Sequence, residues 1–102
     1  GDIKIALKVL REAEKYHRDS PRVFLGICKC MQSVGKWQEA ERNARISTLL
    51  DSSFNPGWKA LSLIFKKQGN TKDEIRILRL LLDRAPKDLR VLDQLIAAYA
   101  SL

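Results

Sequence analysis

Two stretches of the chain carry basic side chains and no acidic ones: Arg22 and Lys29 within 21–34, and Lys59, Lys66 and Lys67 within 55–68. Arg22 and Lys29 are seven residues apart, and so are Lys59 and Lys66. On an α-helix that spacing spans two turns, so each pair shares one face. Cations placed this way can hold anionic groups, such as the carboxylates of a peptide or the phosphates of a nucleic acid. The 102-residue chain has 19 Lys and Arg against 12 Asp and Glu, a net charge of +7. The five cations named above amount to five of those seven charges. A solvated, lysine-rich helix face is the competing reading.

The other reactive residue types form no constellation. Cys28 and Cys30 are two positions apart, so on a helix they point to different sides and cannot share a metal ion or an unstrained disulfide. His17 is the single histidine, and no second ligand pair completes a zinc site. No nucleophile–base pair and no phosphate-binding glycine loop is present, which points to a non-enzyme without metal or cofactor. His17 lies beside Arg18 near a helix end and reads as a surface residue complementing the helix dipole. Unpaired cysteines in packing positions suggest a reducing compartment, and so a cytoplasmic protein. At 45% hydrophobic and 30% charged residues, the chain is too apolar for disorder and long enough for one core. No apolar run approaches the ~18 residues that a bilayer demands.

The elements that position these residues follow from a period. Gly1, Gly35 and Gly69 are 34 residues apart, and each opens a similar stretch. A period of this size indicates a helical array in which no unit buries its apolar face alone. Six helical segments of similar length result. The first covers 2–18 with Ile3, Ala6, Leu7, Leu10 and Ala13 at helical spacing. The second covers 21–33, opened by Ser20-Pro21, with Phe24, Ile27, Cys28 and Met31 on one face. The third covers 37–50 with Ala40, Ala44 and Ser47. Asn55-Pro56-Gly57 reads as a break, after which Trp58, Leu61, Ser62 and Phe65 form the next stripe. A fifth helix over 71–84 is stopped by Ala85-Pro86, and the last runs from about Leu89 with Leu92, Leu95, Ile96 and Tyr99. Short turns make consecutive helices antiparallel. Nothing reads as a strand.

Trp58, Leu61, Ser62, Phe65, Gly69 and Pro86 in one unit, and Phe24, Ile27, Cys28, Met31, Gly35, Ala40, Ala44 and Ser47 in the preceding one, carry a joint spacing. It resembles the tetratricopeptide repeat family, whose 34-residue helix–turn–helix unit has a W-x2-L-G-x2-Y pattern. The resemblance covers the whole chain and implies an all-α, right-handed solenoid of antiparallel helix pairs. In that register, 1–20 is the second helix of one repeat, 21–54 and 55–88 are whole repeats, and 89–102 is the first helix of another. An array cut mid-repeat lacks the polar caps such proteins need, so a fragment of a longer protein is expected. Two departures stand out. Glu74 takes a slot where a small alanine lets helices approach, and Leu81 fills another small slot. The unit should therefore pack more loosely, or turn Glu74 out to solvent. Locally, 86–99 also resembles the large tetratricopeptide subunits of the signal recognition particle.

The resemblance carries a functional expectation. Its members bind ligands in a concave groove lined by the first helices of successive repeats. That places Arg22, Lys29, Lys59, Lys66, Lys67, Arg90 and Gln94 along a basic groove, suited to an acidic peptide or helix of another protein. Chaperone-binding members grip a C-terminal carboxylate with lysine and asparagine. Here the matching positions hold Leu25 and Lys29, then Ala60, then Arg90 or Gln94; the lysine–asparagine pair is absent, which speaks against such a clamp. A sequence pI of about 9.7 keeps an RNA-associated module as an alternative. Against it, Trp37, Trp58, Phe65 and Tyr99 fall in packing slots, leaving only Phe54 and Tyr16 near turns for base stacking. A third expectation is self-association through the apolar last helix, with Leu95, Ile96 and Tyr99.

Overall fold

A computed structural model describes residues 1–102 as six α-helices joined by turns, with no strand. They are α1 (Ile3–Tyr16), α2 (Pro21–Ser33), α3 (Trp37–Leu50), α4 (Asn55–Lys67), α5 (Thr71–Arg84) and α6 (Leu89–Ala100). The starts of α1, α3 and α5 fall at 3, 37 and 71 and their ends at 16, 50 and 84, so both bounds recur every 34 residues. The starts of α2, α4 and α6 recur at the same interval.

Local chemistry explains the bounds. Gly35 and Gly69 have φ of 77° and 75°, left-handed values that a residue with a Cβ adopts only with strain. At each, the following N–H reaches back to close the helix: Lys36 donates to the Met31 carbonyl at 2.9 Å and Asn70 to the Phe65 carbonyl at 2.8 Å. These are Schellman closures, repeated 34 positions apart. Asp2 and Asp88 cap α1 and α6, their carboxylates accepting from the backbone N–H of Ile5 and of Arg90 and Val91. Asn55-Pro56-Gly57 does not break the chain before α4; it forms the first turn of that helix. Pro56 forfeits no bond there, because the first N–H groups of a helix lack an intrahelical partner. Gly57 is buried, and a Cβ on it would stand 2.9 Å from Ser47 Oγ. The glycine therefore permits the approach of α4 to α3.

Each helix packs against its neighbours in sequence, and α2 also packs against α4. The molecule is elongated, 41 × 26 × 20 Å. Phe24, Ile27, Cys28 and Met31 of α2 are buried with Ala40 and Ala44 of α3 and Leu61, Ile64 and Phe65 of α4. Ser47 is fully buried and donates to the Pro21 carbonyl at 3.0 Å, tying α3 to the start of α2. Arg45 of α3 lies over the Phe65 ring, 5.4 Å from its centre. Cys28 and Cys30 are buried and unpaired, and burial pushes the Cys28 thiol up to about 11.

The outer helices differ from this frame. No residue of α1 is buried; Ile3, Leu7, Leu10 and Ala13 are only partly covered, and Ala6 is exposed. On α6, Val91, Leu95 and Ala98 are buried, while Leu92, Ile96 and Tyr99 are exposed. Tyr99 is thus not in a packing slot; its hydroxyl accepts from Arg79 Nη1 at 3.1 Å. The reason is coverage: α4 is flanked by α3 and α5, whereas α6 packs against α5 alone. Phe54, by contrast, is partly buried against the core instead of free near a turn.

Candidate functional site

Glu74 breaks the 34-residue pattern most sharply. Its equivalent on α3 is Ala40, with no exposed surface, and the equivalent of Leu81 is Ser47. Glu74 is not turned out to solvent: it is 7% exposed. Larger side chains on α5 thus stand where α3 has small ones. The consequence is a gap. The equivalent helices α2 and α4 touch, but no Cα of α6 comes within 8 Å of α4.

That gap is a depression of about 250 Å³. Lys59 and Lys66 line it from α4, Glu74 from α5, and Arg90 and Gln94 from α6. Leu63, Leu78 and Val91 supply its apolar surface. A neighbouring hollow of about 270 Å³ shares Lys66, Glu74 and Gln94, so Glu74 borders both. The spacing of Lys59, Leu63 and Lys66 (i, i+4, i+7) puts all three on one face of α4. Ser62, behind them, donates to the Lys59 carbonyl at 2.8 Å.

Four of the seven residues chosen from the sequence therefore meet: Lys59, Lys66, Arg90 and Gln94. Arg22 and Lys29, exposed on α2, and Lys67, exposed at the end of α4, lie outside the depression. Register explains the split. Thirty-four positions before Lys59 stands Leu25, which is buried, and the equivalent of Lys29 is Leu63. The cation pairs of α2 and α4 are thus three positions out of step in the 34-residue register, about 60° around the helix.

The electrostatics are lopsided. The ion pairs of the chain are Arg11–Glu14, Arg45–Glu41 and Arg76–Asp73, so none of these site cations is paired within 4.0 Å. Two acids line the depression. Asp88 is engaged in capping α6, with Oδ1 accepting from Arg90 N at 3.1 Å and Val91 N at 3.3 Å. The Glu74 side chain makes no hydrogen bond or ion pair. Burial pushes its carboxyl up, and the nearby Lys66 partly opposes this. The depression thus has an exposed cationic rim and, from a largely covered residue, one carboxylate that makes no hydrogen bond within the chain. Such a site can hold anions at its edge and one hydrogen-bond donor within.

Sequence reasoning missed the inward direction of Glu74 and the part played by Asp88. The mismatch of Glu74 with its slot was visible in the sequence, and Asp88 stands at a readable helix start. No group of three or more His, Cys, Asp or Glu side chains is arranged to hold a metal ion, and no helix is long and apolar enough to cross a membrane. No model of a known protein family matches the chain, and no curated protein matches its sequence.

Proposed function

We propose that the chain is a protein-interaction scaffold of the tetratricopeptide type, a right-handed solenoid of helix pairs that binds an acidic segment of another protein between α4 and α6. One observation carries the binding reading. Lys59, Lys66 and Arg90, none of them ion-paired, surround a single depression together with Gln94. Unpaired cations around a concave site attract acidic ligands and supply charge-assisted hydrogen bonds to them. The architectural reading is supported by helix bounds and Schellman turns that recur at 34 residues. The two unpaired cysteines accord with a cytoplasmic setting.

Charge reversal at Lys59, Lys66 and Arg90, read as loss of affinity for an Asp/Glu-rich peptide, tests the proposal; unchanged affinity sinks it. An RNA-binding role is favoured less, because no aromatic ring lines the depression for a base to stack on. A second reading, self-association, draws on the exposed Leu92, Ile96 and Tyr99 of α6; Leu95 is buried and unavailable for it.

A further inference from the structure

We infer that the cleft between α4 and α6 selects an acidic segment that carries a lysine, whose ammonium group is accepted by the Glu74 carboxylate while Lys59, Lys66 and Arg90 hold the flanking acids. The inference rests on the protein-binding reading above and deepens it.

Three observations lead there. Glu74 is 93% buried by its 7% exposure, lines both hollows of the cleft, and has no partner of its own. Its carboxylate oxygens are not sealed off, since the one enclosed side-chain atom without a partner is Gln32 Nε2, so a donor entering the cleft can reach them. In the other acid lining the cleft, Asp88, Oδ1 is taken by the N-terminus of α6. Finally, Glu74 is a local departure: the equivalent position on α3 is Ala40, so the frame itself needs no carboxylate there. Burial raises the proton affinity of Glu74, and a bound ammonium would restore the ionised form.

The charge balance makes the inference testable. A lysine lowers the negative charge of an acidic peptide, so a cationic rim acting alone would bind a lysine-bearing peptide more weakly. Two nine-residue peptides of Asp and Glu, one with lysine and one with norleucine at the centre, separate the terms. Titrated with the full chain, the lysine peptide should bind about tenfold to a hundredfold more tightly, the range of one charge-assisted hydrogen bond. In Glu74→Gln the order should invert, because the ammonium loses its anionic partner, a neutral amide oxygen being a weaker acceptor, while the lysine still lowers the attraction of the peptide to the cationic rim. Glu74→Ala, which installs the residue found at position 40, should give the same inversion and guards against a fault specific to glutamine. Equal binding of the two peptides, or a lysine preference that survives both substitutions, overturns this inference alone. Binding of neither peptide overturns the protein-binding reading and this inference with it.

Discussion

Glu74 sets the chemistry of the cleft at the residue scale, and its titration should be visible in stability. Its folded-state pKa is raised above the usual 4.5 by burial, with Lys66 as the opposing influence. The sign follows directly. Below about pH 4.5 the group is protonated in both states and costs nothing; above its raised folded pKa the charge destabilises the fold. Lys59, Lys66, Arg90 and Asp88 line the same depression as Glu74. Glu74→Gln should therefore stabilise the chain at pH 7, because the amide carries no charge to desolvate. Thermal melts should show the gain shrinking as pH falls below 4.5; a destabilised variant at pH 7 would contradict the account. Asp51 works the other way, since its hydrogen bonds from Ser53 hold its carboxyl below the usual range and lose their benefit in acid. A lysine stripe was legible in the sequence because residues seven apart share a helix face. Whether Glu74 points in or out was not, because that depends on how far apart α4 and α6 sit, a distance no local pattern contains.

At the scale of the element, helices and turns were the most readable part of the chain. Periodicity over 21–33, 37–50 and 71–84 coincides with α2, α3 and α5, because capping and glycine chemistry act within a few residues. Proline with glycine is ambiguous, however. The same pair that interrupts a helix can open one, and at Asn55-Pro56-Gly57 the contact of Gly57 with Ser47 decides for the opening turn. The left-handed glycines give a direct check. Gly69→Ala must hold a Cβ at φ near 75° and should cost about 1 kcal/mol, although nothing lies within 4 Å of the added atom. A lowering of Tm by about 4–8 °C is the expected result for a domain of this size. An unchanged Tm would mean the Schellman closure contributes less than its geometry implies.

Across the whole molecule, the interior helices share one packing frame and the outer ones expose what that frame would cover. Tyr99 of α6, equivalent to Phe65 of α4, was expected in a packing slot and stands outside, as do Leu92 and Ile96 of the same apolar stripe. Amphipathic patterning identifies an apolar face but not whether a neighbour covers it. If that face mediates self-association, sedimentation should show species larger than a monomer as concentration rises, and Ile96→Glu should return the chain to monomer; a monomer throughout removes that reading. The central claim concerns the opposite, polar feature: a cleft between α4 and α6 that binds acidic segments. The most direct measurement is fluorescence anisotropy of a labelled Asp/Glu-rich peptide against three chains: the unaltered one, Lys59→Glu/Lys66→Glu/Arg90→Glu, and Arg22→Glu/Lys29→Glu. All three should retain the helical circular dichroism of the fold, since none of the substituted side chains is buried. The account predicts that reversal in the cleft weakens binding at least about tenfold, ~1.4 kcal/mol, with a strong salt dependence, while reversal on α2 has a smaller effect. Equal losses in both variants, or none in the first, would contradict it.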